Sequence, residues 1–248
     1  MKINDVDIEQ EFGVQIINVE GNILPSLRPE VIEIPGSGIK YMNKNEILSL
    51  IKTVSFVIQR DSKSGLINDL KDFLLFLNPF ETEKKIKFDN ETGYRIGVIS
   101  GSSFDEKKFA GNIVYNVFTI DFTFFNPYQY ALEEEMITIN AAINTEYTIT
   151  NDGLEIPFKV EMRSQNETAT DISLYINDDY LKYLGSLAVN DVLTIDTGNF
   201  TIVKNGINVI KDTEGLFMNL QAGNNIIKVT GNFVNNLNLK FSFRKRWL

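Results

Sequence analysis

The chain has 248 residues, of which 43% are hydrophobic and 23% are charged, a composition typical of a globular protein of one or two domains. It contains no cysteine and no histidine, which excludes disulfides, thiolate chemistry and imidazole as a general base or metal ligand. The net charge of −9 argues against a protein that binds nucleic acid by neutralising phosphates. Composition therefore favours a non-catalytic protein with an acidic surface.

The N-terminus is polar, and no segment approaches the roughly 20 apolar residues that a membrane-spanning helix needs. We therefore expect no signal peptide, no membrane insertion, and synthesis in the cytoplasm of the producing cell.

The first half of the chain combines strands with one helix. From Ser64 onward, apolar residues recur at helical spacing as far as Leu77, and Pro79 follows. The pattern predicts one helix over 64–77, capped by Ser62 or Ser64, with Leu70 and Phe73 in the core. Strict alternation from Val114 to Phe124 predicts a strand whose even-numbered residues face the core. Further strands are predicted around Val54–Ile58, Ile86–Phe88 and Tyr94–Ile99.

A domain boundary is predicted after Asn126-Pro127-Tyr128, where an aromatic strand ends and Glu133-Glu134-Glu135 follows. The predicted domains are 1–133 and 134–248. The second half reads as short strands separated by polar turns, among them a hairpin turn at Asn205-Gly206, and this pattern is typical of a β-sandwich. A weaker helical pattern covers Leu181–Leu187. The fold class is mainly β.

Candidate chemical sites are sparse. Gly36-Ser37-Gly38 lacks the remaining residues of a phosphate loop, and we interpret it as a surface turn. The acids that could pair for glycan hydrolysis, or in part bind calcium, lie in polar runs without the spacing of a known motif; they are Glu133, Glu134, Glu135, Asp178, Asp179, Asp191 and Asp196. Trp247 could stack on a sugar ring, although closure of the sandwich is favoured. We therefore predict no catalytic, cofactor-binding or metal-binding residues.

The whole chain resembles the distal tail protein family of phages that infect Gram-positive bacteria. The likeness rests on the order and spacing of several segments rather than on one specific motif: the strand ending at Arg60 with the helix after it, Tyr94–Ile99, Phe122–Tyr130, Asn151–Pro157, and Gly223–Ile226 with the basic-Trp-Leu ending.

The resemblance implies a structural protein of a phage or prophage tail tip, and not an enzyme. It implies a hexameric ring of N-terminal domains with a galectin-like β-sandwich projecting from the periphery. The implied partners are the tail tube protein and a hub, fibre or tail-lysin protein, with DNA only passing through the channel. Two alternatives remain open, a carbohydrate-binding module attached to an adaptor domain and a carboxylate-based glycan hydrolase.

Overall fold

The protein is mainly β in a computed structural model, as the sequence predicts. The structure describes residues 1–22, 24–33, 40–80, 83–104, 108–110, 113–165, 167–233 and 237–248. The chain divides into two compact units, Met1–Gln129 and Tyr130–Trp247, with Leu248 grouped with the first. This division falls at 129/130, whereas the sequence pattern placed the boundary at 133/134.

The first unit is built on a large antiparallel sheet. Its elements are β1 Lys2–Ile3, β2 Val6–Asp7, α1 Ile8–Phe12, β3 Val14–Gly21, β4 Leu27–Glu33, β5 Lys40–Ile47, β6 Leu50–Arg60, α2 Lys63–Leu77, β7 Lys84–Lys87, β8 Arg95–Phe104, β9 Lys108–Ala110 and β10 Ile113–Phe124, followed at the boundary by β11 Gln129–Tyr130. The main sheet runs in the order β2-β1-β7-β8-β10-β6-β3, with β9 also paired to β10. Strands β4 and β5 pair with each other in a separate sheet.

The core of the first unit lies between this sheet and α2. Strand β10 turns Phe118, Ile120, Phe122 and Phe124 inward, and all four side chains are buried, which confirms the predicted alternation. Helix α2 begins one residue earlier than predicted. Ser62 is its N-cap, because the Ser62 hydroxyl accepts a hydrogen bond from the backbone N–H of Gly65.

The predicted buried face of α2 is partly wrong. Phe73 is fully buried, but Leu70 lies only half-buried at the rim of the core. The residues that anchor the helix are Leu66, Phe73 and Leu77, which are spaced seven and four residues apart and so share one narrow stripe. The helix therefore contacts the sheet over fewer residues than the sequence pattern suggests.

One buried polar side chain on β10 has no hydrogen-bond partner. Asn116 is fully buried on the inward face, and neither its Oδ1 nor its Nδ2 has a partner among the described residues. An unpaired buried amide destabilises the folded state by about 1–3 kcal/mol.

We expect Asn116→Leu, which introduces an apolar side chain of similar size, to raise the free energy of unfolding in urea by about 1 kcal/mol or more. Thr119→Val, on the opposite face of β10, is the control, and an equal gain there would contradict the explanation.

The second unit is a β-sandwich with its own core. Its elements are β12 Glu135–Ala141, β13 Glu146–Asn151, β14 Lys159–Ser164, β15 Ala169–Ile176, β16 Asp179–Leu187, β17 Val192–Asp196, β18 Thr201–Lys204, β19 Ile207–Asn208, a 3-10 turn Ile210–Asp212, β20 Thr213–Gly215, β21 Gly223–Asn232, β22 Leu237–Phe243 and β23 Arg246–Trp247. One sheet runs β12-β22-β14-β17-β18-β19 and the other β13-β21-β15-β16-β20.

The predicted helical pattern at Leu181–Leu187 is wrong, because this segment belongs to strand β16. Leu181, Tyr183 and Leu187 are buried and Leu184 is 42% exposed. The apolar residues at three-residue spacing imitated a helix, while tertiary packing selected the strand. The hairpin turn at Asn205-Gly206 is present between β18 and β19, and both residues have positive φ.

Candidate assembly site

Part of the outward surface of the main sheet in the first unit carries polar side chains, beside Val57 and Val117 on the same face. We call it the polar face, and it comprises Asn18, Glu20, Thr53, Ser55, Ser103, Thr119 and Asp121. Strand register places Ser103, Thr119, Ser55 and Asn18 in one row across four strands. The next row contains Asp121, Thr53 and Glu20. Both charged side chains on the polar face are therefore carboxylates.

Hydrogen bonds link neighbouring side chains of this surface. The Thr53 hydroxyl donates to Asp121 Oδ1 at 2.6 Å, and Asn18 Nδ2 donates to Glu20 Oε1 at 2.7 Å. The Ser103 and Thr119 hydroxyls lie 2.5 Å apart. Beside the face, the Thr123 hydroxyl donates to Ser100 Oγ at 2.7 Å. The Thr53–Asp121 and Ser103–Thr119 contacts link adjacent strands, whereas Asn18 and Glu20 lie two residues apart on β3.

Strand β3 forms one edge of the main sheet. It is the last strand in the sheet order, and among the described residues it pairs on one side only, with β6. Ile17 and Val19 are 55% and 40% exposed on this edge. A long edge strand with exposed apolar residues is a template for pairing with another chain. It is therefore a candidate assembly surface.

The β4–β5 hairpin is a second candidate. Its strands pair from Leu27↔Ile47 to Glu33↔Lys40, and no described strand of the main sheet pairs with either of them. A two-stranded hairpin is only marginally stable alone in water. Contact with another chain would supply the missing support.

The sandwich begins at the Asn151-Asp152-Gly153 segment noted in the sequence. The Asn151 side chain is fully buried and bonds to the backbone on both sides of the turn; its partners are Gly153 N, Leu154 O, Leu220 O and Gln221 O. A Cβ on Gly153 would lie 2.7 Å from the backbone oxygen of Arg246, so the close passage of β23 requires glycine there. The Asn151-Asp152-Gly153 segment is thus explained by packing within the second unit.

Lys245 forms ion pairs with two carboxylates of the second unit. Lys245 Nζ lies 2.7 Å from Glu135 Oε2 and 2.8 Å from Asp152 Oδ1. The hydrogen bond from Lys245 lowers the pKa of Asp152, and the two carboxylates raise the pKa of Lys245. Glu135, one of the acids considered for hydrolysis, is thereby engaged in an ion pair.

The other candidate acids lie in turns or on an exposed segment of the second unit. Asp196 organises a turn by accepting from the backbone N–H groups of Gly198 and Asn199. Asp178 lies in the turn between β15 and β16, and Glu133 and Glu134 are exposed ahead of β12. Among the described residues no cluster of acids is arranged to hold a metal ion. The contacts of Asp196 therefore give it a structural role in the turn.

Asp191 holds the β17–β18 hairpin. It pairs with Lys204 at 2.9 Å, accepts from Asn205 Nδ2 at 2.7 Å and accepts from the Ala188 backbone N–H at 2.9 Å. These contacts, the Lys204 hydrogen bond first, lower its pKa from 3.8 to about 2.

We expect the NMR titration midpoint of Asp191 to lie at about 2. Because its folded-state pKa lies below the unfolded one, its stabilising contribution is complete above the unfolded pKa. That contribution is lost as pH falls through the folded value. Lys204→Met should move the midpoint upward by removing the largest cause. An unchanged midpoint in that variant would contradict the assignment.

Trp247 is half-buried in β23. The backbone of its neighbour Arg246 accepts from Leu154 N at 2.8 Å, an arrangement that favours closure of the sandwich over a free sugar-stacking surface. Gly36-Ser37-Gly38 lies outside the described residues. In the described part of the chain, no helix is long and apolar enough to cross a membrane.

The comparisons with known proteins agree with this architecture. Residues 153–247 match the family model described as the siphovirus-type tail component, C-terminal domain. Among curated proteins, no sequence matches the chain. This match agrees with the resemblance to the distal tail protein family noted in the sequence.

The fold of the whole chain is similar to that of the SPP1 Dit (gp 19.1) protein, described as a paradigm of the hub adsorption apparatus in phages that infect Gram-positive bacteria. The TM-score is 0.77 at 16% sequence identity, over 99% of this chain and 98% of that chain. The phage P2 baseplate in its Ca-activated conformation matches with a TM-score of 0.49 at 12% identity, over 94% and 90%. At this level of identity, the similarity to the SPP1 Dit protein shows a shared fold.

Proposed function

We propose that this protein is the distal tail protein of a siphophage or prophage. In this proposal it forms a hexameric ring at the tail tip, which joins the tail tube protein to a hub, fibre or tail-lysin protein. The observation that carries the proposal is the family match over 153–247 together with the fold shared over nearly the whole chain. The first unit builds the ring, and the galectin-like sandwich lies at its periphery.

The candidate assembly surfaces support this division of roles. Strand β3 and the β4–β5 hairpin both belong to the first unit, and both present backbone groups that another copy can pair with. A head-to-tail contact between different surfaces closes into a ring when its rotation divides the circle evenly. The second unit closes its own core, so the proposal does not need it for oligomerisation.

The polar face suits the wall of a DNA passage. A basic wall would bind phosphates by releasing their counterions and would hold the DNA. Glu20 and Asp121 give this surface the opposite sign, and its other members are uncharged. We therefore propose that the polar face lines the channel of the ring.

If the channel wall is acidic, the two adjacent lysine pairs of the first half, Lys84-Lys85 and Lys107-Lys108, are expected on outer surfaces or at subunit contacts. For Lys84 this expectation is wrong, because its side chain is buried on the inward side of β7. Lys85 is paired with Asp5 at 2.8 Å. Lys107 lies outside the described residues, and only the backbone of Lys108 is described.

The ring is tested by the mass of the intact protein in solution. We expect light scattering to give the mass of six chains of 28.2 kDa. Ile17→Lys should shift the population toward monomer, because a charged side chain on an edge strand blocks pairing. Ile226→Lys is the matched control: Ile226 is 45% exposed on an interior strand of the second unit, so the assembly should persist. A monomeric wild type would contradict the proposal.

A further inference from the structure

The hairpin turn at Asn205-Gly206 carries a side chain that can react with its own backbone. It is the only Asn-Gly pair in the sequence, and both residues are exposed. In such a pair the glycine nitrogen can attack the asparagine side-chain amide, because glycine has no Cβ to hinder the approach. A Cβ built on Gly206 would meet no atom within 4 Å, so this side of the turn is open to water. Neither the ring proposal nor the family match concerns this turn.

The structure holds the Asn205 side chain at both ends of its amide. Asn205 Oδ1 accepts from the Val192 N–H at 2.8 Å, and Asn205 Nδ2 donates to Asp191 Oδ1 at 2.7 Å. The backbone is fixed as well, because the Asn205 N–H donates to the Val192 carbonyl at 3.0 Å. Asp191 is itself anchored by Lys204 and by the Ala188 N–H. The amide is therefore oriented by contacts with the residues where β17 begins.

These contacts oppose the reaction. Attack on Asn205 Cγ requires the amide to turn its carbon toward the Gly206 nitrogen and to release ammonia. The hydrogen bonds to Val192 and Asp191 fix the plane of the amide, and the bond to Asp191 also engages the nitrogen that has to leave. Cyclisation must therefore wait until the contact with Asp191 opens. A hydrogen bond to a charged group is stronger than one between neutral groups, so the open state is a minor one.

We propose that Asn205 is the deamidation site of this protein and that Asp191 sets the rate. The Gly206 nitrogen bonds to Asn205 Cγ and gives its proton to water, while the Cγ–Nδ2 bond breaks and Nδ2 takes a proton from water and leaves as ammonia. Water then opens the cyclic imide to an aspartyl or an isoaspartyl product. The aspartyl product places a second carboxylate against Asp191, and the isoaspartyl product lengthens the backbone of the turn. Both weaken the pairing of β18 with β19, the last strand of its sheet.

Peptide mapping by mass spectrometry, after incubation of the full chain at mildly alkaline pH, tests the proposal. We expect conversion of amide to acid at Asn205 before any other asparagine. Asp191→Ala should accelerate it at least about tenfold, because the hydrogen bond to the leaving nitrogen is lost. Asp191→Asn keeps an uncharged oxygen acceptor and should give an intermediate rate. Asp196→Ala is the matched control, since Asp196 organises the neighbouring turn at Gly198 and its loss should leave the rate unchanged.

Two outcomes would overturn the proposal: earlier deamidation of another asparagine in the folded wild type, or a rate in folded Asp191→Ala no higher than in the wild type. If Asp191→Ala does not fold, the wild type decides. Asn205 should then react at least about tenfold more slowly in the native protein than in the protein unfolded in urea, and equal rates would contradict the role of Asp191. None of these results depends on whether the protein forms a ring.

Discussion

Replacing Phe73 with alanine is expected to lower the free energy of unfolding by about 3–5 kcal/mol, as for other buried phenylalanines. Phe73 is fully buried, and its ring centre lies 5.4 Å from that of Phe12 and 5.9 Å from those of Phe56 and Phe118. It therefore joins α1, α2, β6 and β10, and its removal leaves a cavity that none of these elements can fill alone.

Urea unfolding followed by circular dichroism measures this effect. Leu75→Ala is the matched control, since Leu75 lies in the same helix and is 66% exposed. This substitution should lower the free energy of unfolding by less than about 0.5 kcal/mol. The half-buried Leu70 should give an intermediate loss. Equal losses at positions 73 and 75 would show that the helix does not pack on the sheet as described.

Asn151→Ala is expected to destabilise the sandwich by about 2–4 kcal/mol. The change leaves the buried N–H of Gly153 and several carbonyl groups without partners, and each unsatisfied buried group costs about 1–3 kcal/mol. Thermal unfolding of the full chain should show a lower midpoint for the transition of the second unit. The transition of the first unit should stay in place if the two units unfold independently.

The control for this prediction is Asn140→Ala. Asn140 is exposed on β12, and its side-chain oxygen accepts a hydrogen bond from Asn238 Nδ2 at 2.9 Å. Its loss should change stability by no more than about 0.5 kcal/mol. A comparable loss at both positions would mean that the buried network contributes little.

The elements that could be predicted from the sequence are those that bury one face along their whole length, because this burial imposes a regular spacing of apolar residues. Strand β10 alternates cleanly because one side of it is buried along its length. Helix α1 was missed because five residues are too few for a helical period. Its signals were Asp7, whose side chain accepts from Glu9 N and Gln10 N, and Gly13, which ends the helix with positive φ.

The candidate surfaces could not be predicted, because they depend on residues distant in the chain. Glu20, Thr53 and Asp121 become neighbours only through strand register. Glu91 is 39 residues from Lys52 in the sequence, and nothing in either local pattern indicates that they meet. The burial of Lys84 could not be predicted from its neighbours either. A pair of adjacent lysines suggests two exposed side chains, but successive side chains of strand β7 point to opposite faces, so Lys84 faces inward.

The hydrogen bonds within the polar face affect the friction that a polyanion would meet in moving along it. The donors of Thr53 and Asn18 are already committed to Asp121 and Glu20. A polyanion sliding past such a surface meets oxygen acceptors and few free donors, so it forms few transient bonds that must break before the next step. Drag along this surface would then be set by the viscosity of the intervening water and would depend only weakly on salt concentration.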